Sequence, residues 1–494
     1  MILGDVFMEL LNKQMTGKKD RDIKVVQFGE GNFLRGFVDY MIDIANEKGT
    51  FDGDIVLIKP INFGNLDMFY AQDCQYNVSL SGIVDGEPKV LRRTVTSVAD
   101  AVDAYNEYEK YNNLAKIPTL RFVVSNTTEA GIVYDETDKF ELDPPNTFPG
   151  KLTKFLYTRY TEFNGAMDKG LVMLPVELID DNGMHLKECV DKFIKLWNLG
   201  DAFQKWVDEA CIFTQTLVDR IITGYPRETA PQMWEEYGYQ DNIIVTGEPF
   251  ALWVIESSKD ISNELALPQA GLPVVFTEDH HPYKQRKVRI LNGAHTSFVL
   301  ASFLAGNDIV LESMNDELVY DFMYKTLFDE VIPTLSLSKE DCEEFANAVI
   351  TRFRNPYVKH QLLAISLNSV SKWRARCMPS YLGYINKEGK LPAHLTFSLA
   401  ALFAFYQGTE IKDGALIGHR GEEEYCIKDD AKVLEFCAAN SGKDARAYAE
   451  AFMSNVDFWG QDLTKDAGAL DAVATYLEEI RTLGMRAAME KNFK

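Results

Sequence analysis

Residues 287–298 read KVRILNGAHTSF. Lys287, Asn292 and His295 stand among mostly apolar or small neighbours, and a buried helix has no need of a lysine, an amide and an imidazole so close together. On an ideal α-helix turning about 100° per residue, Asn292 lies about 140° and His295 about 80° from Lys287, so the three polar groups share one sector. A desolvated lysine can act as a general acid or base. An amide and an imidazole can hydrogen-bond an oxygen that gains negative charge. Together they suit proton transfer at a ketone or secondary alcohol. The same spacing also fits a structural role, with Lys287 reaching solvent and the other two making local bonds.

A second set of residues suits a nucleotide. VVQFGEGNFLRG places Gly29, Gly31 and Gly36 directly after a β-branched run and at the start of a helical pattern. A dinucleotide-binding turn has this placement, because the backbone must approach a diphosphate and the helix N-terminus offers free N–H groups. The spacing is GxGxxxxG rather than GxGxxG, and a tight turn without a ligand has similar needs. The end of the next strand reads IKPINFG, with Lys59 where an acid would bind the adenosine ribose. The choice between NAD and NADP is therefore ambiguous from this feature.

The elements that position these residues follow from periodicity. IKVVQF (23–28), DIVLIKP (54–60), TLRFVVSN (119–126) and LVMLPVELI (171–179) read as strands separated by helical segments, one of them from about Phe33 to Lys48. This predicts βαβ units and a parallel sheet buried on both faces. VSLSGIVDG (78–86) and KVLRRTVTSV (89–98) read as a hairpin inserted in that sheet. From Lys287 onward strand signals almost vanish. Helical periodicity covers 287–305, 316–331, 339–353, 356–371, 391–407, 429–440, 443–454 and 467–492. The expected fold class is α/β: a Rossmann-type nucleotide-binding domain over 1–276, then a mainly α-helical substrate and catalytic domain over 277–494.

Composition narrows the partners. The chain has 494 residues, 46% hydrophobic and 25% charged, as in an ordinary soluble globular protein. Acids outnumber bases 74 to 51, a net charge of −23, which argues against nucleic acid or an anionic membrane. The seven cysteines are scattered without a CxxC pair, so neither disulfides nor a zinc cluster is expected, and free thiols suit a reducing cytosol. MILGDVFMELLNKQ is a poor signal peptide, and the apolar run LTFSLAALFAFY is too short to span a bilayer at the usual ~20 residues. The histidine-containing run TEDHH (277–281) is read as a polar turn between domains and no metal is expected. No feature read here speaks to oligomeric state.

K-x4-N-x2-H on a helix after a nucleotide-binding domain resembles the mannitol dehydrogenase family of long-chain, zinc-independent polyol and sugar-acid dehydrogenases. FGEGNFLRGF, SNTTEAGI (125–132), LIDDNG (178–183), LVDRI (217–221) and GEPFALWVIE (247–256) resemble further family segments, so the likeness spans most of the chain. It implies reversible hydride transfer between a nicotinamide cofactor and a secondary alcohol. It implies Lys287, Asn292 and His295 as catalytic residues. Phe28, Gly29, Gly31, Asn32, Phe33, Gly36, Asn126 and Glu129 are implied to lie at the cofactor.

Two departures separate the chain from polyol-oxidising members. Leu178 follows Glu177 where those members carry an Asn, and Lys284 stands where they tend to have an acid. Both departures suit a sugar acid. SNTTEAGI, VELIDDNG, KVRILNGAHT and ISLNSVSKWRARCMPS (365–380) resemble most the branch interconverting D-altronate and D-tagaturonate. A fructuronate/mannonate pair, a neutral polyol and a non-catalytic NADH sensor are the alternatives. A uronate carboxylate needs cations, and SKWRAR supplies Lys372, Arg374 and Arg376, with His360 nearby in sequence. A solvated basic face is the other reading of that run.

Overall fold

The computed structural model describes residues 8–128 and 130–494. The chain divides into two compact units, one comprising residues up to Val84 and Lys89–His280, the other Asp85–Pro88 and His281–Lys494.

The first unit is built on six strands. β1 (Ile23–Phe28), β2 (Asp54–Lys59), β5 (Val98–Asp103), β6 (Phe122–Ser125), β7 (Val172–Pro175) and β8 (Ile212–Phe213) lie in the order β5-β2-β1-β6-β7-β8. All neighbouring pairs are parallel. Every residue of β2 is buried, as a strand covered on both faces requires. Alternate side chains face two separate cores. Val25, Ile55, Leu57 and Val124 pack on one side, and Val26, Phe28, Val56, Ile58 and Val123 on the other. The strands expected at 23–28, 54–60, 119–126 and 171–179 are all present, the last two shorter than their apolar runs.

The hairpin departs from expectation. β3 (Tyr76–Val84) and β4 (Glu87–Val95) do not join the main sheet. They form a separate sheet with β10 (Ile222–Gly224) and β11 (Val245–Gly247), in the order β10-β11-β3-β4. Only β5, just after the hairpin, returns to the main sheet beside β2. A third sheet of β9 (Gln215–Asp219), β12 (Leu252–Glu256) and β13 (Val274–Thr277) was not anticipated, although its β12 lies in GEPFALWVIE.

The second unit is mainly helical. Its most buried helix, Ala393–Phe405, is apolar almost all round, so periodicity alone says little about which face is inside. Its N-terminus is held by buried Glu330, which accepts the His394 and Leu395 N–H groups at 2.8 Å each. Two expectations need correction here. The run 356–371 is not one helix: Asn368 takes a left-handed φ of 55°, and a new helix, Ser369–Arg376, begins after it. Gly484, at φ 85°, likewise splits 467–492 into Ala469–Leu483 and Met485–Phe493. A small antiparallel sheet, β14 (Ile411–Lys412), β15 (Ala415–Arg420) and β16 (Glu423–Ile427), lies between expected helices, in a half where strand signals almost vanish. All seven cysteines are unpaired, and no helix among the described residues is long and apolar enough to cross a membrane.

The helix after β1 runs over residues 32–48 and contains a π-turn at Arg35–Asp39. That turn is wholly buried, including both charged ends. Tyr76 donates its hydroxyl to Asp39 at 2.7 Å, while Asp39 Oδ1 and Gln27 Oε1 have no hydrogen-bond partner. Burial pushes the Asp39 carboxyl up from 3.8 to about 7, against the hydrogen bond from Tyr76 and the charge of Arg35. A folded-state value above the unfolded one contributes stability that is complete below the unfolded value and lost as pH rises through the folded one. Melting temperature should therefore fall between pH 5 and pH 8, by the equivalent of on the order of a few kcal/mol from this group. Asp39→Asn, with no charge to bury, should flatten that fall in parallel thermal melts; an unchanged slope would clear Asp39 of the effect.

Candidate active site

The first unit carries the glycine loop. Gly29 has φ +120°, a conformation that side chains rarely adopt, and a Cβ there would lie 3.1 Å from the Asn126 carbonyl oxygen. The Asn126 N–H bonds the Phe28 carbonyl at 3.1 Å, so the exit of β6 lies directly across the loop. Gly36 serves packing: a Cβ there would meet Ile222 at 2.7 Å and Val245 at 2.9 Å. Gly31 is the N-cap of the helix and offers no side chain to cap it, which leaves the first-turn N–H groups without a side-chain acceptor. A tight turn, a close-packed helix and an uncapped N-terminus together fit the diphosphate of a dinucleotide.

Arg35 fixes this loop, and sequence reasoning passed over it. The buried guanidinium donates to the Glu30 carbonyl at 3.0 Å, to Asn32 Oδ1 at 2.7 Å and to the Ile243 carbonyl. The Asn32 side chain is thus engaged with Arg35, and Phe33 stacks on Phe37 with centroids 5.0 Å apart. The Phe28 ring is fully buried among Tyr111, Phe148 and Phe155, so only its backbone belongs to the loop. Glu129 lies outside the described residues.

Glu177, noted in sequence only as a landmark, braces the β6 exit. One carboxylate oxygen accepts the Thr127 N–H and hydroxyl at 3.0 Å each, and the other accepts Ser125 Oγ at 3.1 Å. Burial pushes this acid up, while the hydrogen bonds from Thr127 and Ser125 pull it down. Leu178 beside it is 65% exposed and brings no polar group. In the TEDHH run Glu278, Asp279 and His281 are exposed, as a polar turn requires, whereas His280 is not. His280 is buried, its Nδ1 is 2.7 Å from Glu256 Oε2, and Glu256, Asp279 and His280 present atoms within 4.8 Å of one another. The grouping depends on Glu256 from β12, far away in sequence.

The second unit carries Lys287, Asn292 and His295 on one continuous helix, His281 to Leu304. Its geometry is not the ideal α-helix: Lys287–Asn292 is a π-turn, and the Gly293 N–H reaches back five residues to the Val288 carbonyl. When residue i+5 closes the turn, Lys287 and Asn292 come onto one face, closer than the ~140° of an α-helix. His295 follows three residues later in regular α-helix, again on that face.

His295 is the electrostatic focus. Its ring stacks on Phe353 with centroids 4.2 Å apart and meets His360 edge-on at 5.3 Å. Its Nε2 is buried without a hydrogen-bond partner among the described residues. Burial pushes its pKa well below the usual histidine value, and the charges of His360, Arg352, Arg376 and Lys372 push it further. The imidazole is therefore neutral at physiological pH. Arg376 donates to Thr296 Oγ1 at 3.4 Å, and Lys372 reaches the Ile365 carbonyl at 2.9 Å.

Sequence-selected His360, Lys372 and Arg376 thus converge on His295. Arg374 does not: its guanidinium points to the Asp457 and Phe458 carbonyls at 3.4 Å. On the Ser369–Arg376 helix it is two residues from Arg376, about 200° around. Arg352 was missed. It ends the Lys339–Phe353 helix beside the phenylalanine that stacks on His295, and only that adjacency marks it.

Family models match both parts of the chain. The mannitol dehydrogenase Rossmann domain matches residues 23–269, and the mannitol dehydrogenase C-terminal domain matches residues 279–481. An altronate oxidoreductase of Pectobacterium atrosepticum is 43% identical over 490 residues, 98% of this chain and 99% of its own. One of Escherichia coli O9:H4 is 42% identical over 489 residues, with the same coverage. Two solved structures share the fold at 21% identity. Mannitol 2-dehydrogenase of Pseudomonas fluorescens, in complex with NAD and D-mannitol, has a TM-score of 0.64 and covers 98% of this chain and 99% of its own. A D-sorbitol dehydrogenase has a TM-score of 0.75 and covers 97% of this chain and 100% of its own. With both domains matched in order and near-complete likeness to these relatives, the chain belongs to the mannitol dehydrogenase family.

Proposed function

We propose that this chain is an NAD-dependent reductase that interconverts D-tagaturonate and D-altronate. The observation that carries the reading is the set of basic side chains around His295: Arg352, Lys372 and Arg376, with His360. A neutral polyol gives such a set nothing to bind, whereas a sugar-acid carboxylate gives it an anion that guanidinium groups can grip through paired bonds. The names of the altronate oxidoreductases, alike over nearly the whole length, support the same substrate pair.

In the reducing direction the substrate ketone oxygen lies against Asn292 and His295. A neutral imidazole with its proton on Nε2 donates a hydrogen bond to that oxygen without surrendering the proton, which also satisfies the buried nitrogen. A nicotinamide dinucleotide would be held by the Gly29–Gly36 loop and would supply the hydride for the carbonyl carbon. Lys287 delivers a proton from Nζ to the oxygen, so that C=O, hydride and proton give CH–OH. In oxidation the neutral amine of Lys287 takes the hydroxyl proton. Arg352 and Arg376 hold the carboxylate, with Lys372 and His360 beside them.

Purified protein with NADH should turn over D-tagaturonate faster than D-fructuronate, and D-fructose slowest; activity confined to fructose would overturn the sugar-acid reading. Lys287→Ala should lower turnover by roughly 10²–10⁴-fold while NADH binding persists. Arg376→Ala should raise the KM for tagaturonate about tenfold or more, as expected for loss of a charged hydrogen bond, and leave a neutral ketose little changed. Activity should also survive exhaustive chelation, with the Glu256–His280 pair acting as a hydrogen bond alone.

A further inference from the structure

The adenosine end of the first unit lacks the acid that usually closes β2, and its charges point to another. This inference rests on the dinucleotide reading above. β5, β2 and β1 are neighbours, so their carboxyl ends meet on one edge. The Gly29 N–H bonds the Ile58 carbonyl at 2.9 Å, and the Ala104 N–H bonds the Lys59 carbonyl at 3.2 Å. These bonds draw the glycine loop and the β5 exit against the end of β2 and gather Glu30, Lys59 and Asp103 there.

Lys59 is already committed. Its ammonium carries three protons and has three acceptors: Asp103 Oδ2 at 3.0 Å, the Ile61 carbonyl at 2.6 Å and the Phe63 carbonyl at 3.3 Å. It is 1% exposed and holds the turn after β2 in shape. Asp103 is committed as well. Beyond Lys59 it accepts the Tyr105 and Asn106 N–H groups at 3.0 and 3.1 Å and the Asn106 amide at 2.8 Å. Glu30 differs from both. Its carbonyl is pinned by Arg35 at 3.0 Å, and its carboxylate accepts a bond from its own backbone N–H, which leaves lone pairs over for a ligand. In the turn held by Lys59, Phe63 is 69% exposed and Ile61 38% exposed, so flat apolar surface lies beside these charges.

An adenosine brings a flat ring and a vicinal diol with two O–H donors. We propose that Glu30 accepts the ribose hydroxyls of the adenosine, beside an adenine platform that includes Phe63, and so selects NAD(H) over NADP(H). A 2′-phosphate would replace a donor by a dianion facing the carboxylates of Glu30 and Asp103. Lys59, the cation that in sequence left NADP open, has no proton to offer it. Burial, the largest influence, raises the Glu30 pKa and Asp103 adds to this, while the bond from its own N–H and the charges of Lys59 and Arg35 oppose it. Donors from a ribose would compensate the lost hydration of such a carboxylate.

The test is direct binding of NADH and of NADPH, followed by enhancement of the reduced-nicotinamide fluorescence, for the wild type, Glu30→Gln and Glu30→Asp. The wild type should bind NADH more tightly than NADPH. Glu30→Gln should weaken NADH by about tenfold or more and narrow the NADH/NADPH ratio by at least as much, because an acceptor and a charge are lost together. Glu30→Asp keeps the charge and should keep NADPH excluded. An unchanged ratio in Glu30→Gln, with tight NADH binding intact, overturns the assignment of Glu30 and leaves the dinucleotide reading standing. A wild type that prefers NADPH overturns the selectivity. A wild type that binds neither removes both readings.

Discussion

Strands of a parallel sheet all end on the same side, and much of this molecule follows from that constraint. β1, β2, β5, β6 and β7 deliver the Gly29 loop, Lys59, Asp103, Asn126 and Glu177 to one edge, although these residues span 149 positions of sequence. The edge has no further strand to pair with, so its polar groups must be satisfied by other means. Arg35 takes the Glu30 carbonyl, Glu177 takes Ser125 and Thr127, and Asp103 takes Lys59. These contacts tie strand ends, loops and the helix after β1 to one another. A ligand at this edge would therefore meet loops that are already set in place, with little ordering left to do on binding.

In the second unit the governing fact is the treatment of charge. Several basic groups are gathered around one imidazole, in a place where burial already disfavours its protonation. Like charges in such a cluster repel one another, and an anion bound among them would relieve that repulsion. The same field keeps His295 neutral, which suits a hydrogen-bond donor better than a proton donor. In the proposed reaction, binding and catalysis would be linked through electrostatics: the cations that suit a carboxylate would add to the burial that keeps His295 neutral. The π-turn at Lys287–Asn292 completes the arrangement by turning an i, i+5 pair onto one face.

Both helices that carry candidate site residues contain a π-turn, at Arg35–Asp39 and at Lys287–Asn292. In the first, the extra residue accompanies burial of Arg35 and Asp39 within one turn, and Asp39 keeps an unpaired oxygen. Charged groups buried in this way are poor contributors to stability by themselves. Their placement is explained better by what Arg35 holds, the glycine loop, than by any gain in folding energy.

The sequence by itself determined the elements whose signals are local. β-branched runs ending in glycine or proline specify β1 and β2, and the polar sector of KVRILNGAHTSF is visible because one helix carries all of it. The two-domain α/β organisation was legible for the same reason. Tertiary structure alone decided the rest. The hairpin at 76–95 went to its own sheet because its partners, β10 and β11, come more than a hundred residues later. SKWRAR became a helix only through the left-handed turn at Asn368, and helical phase then separated Arg374 from Arg376. Arg352 joined the cluster through a neighbour that stacks on His295. Lys59 reads in sequence only as a cation where an acid usually stands, and it is saturated by Asp103 and two carbonyls. Periodicity reports which face a residue occupies, but whether a charge is available depends on partners that only the folded chain brings within hydrogen-bonding distance.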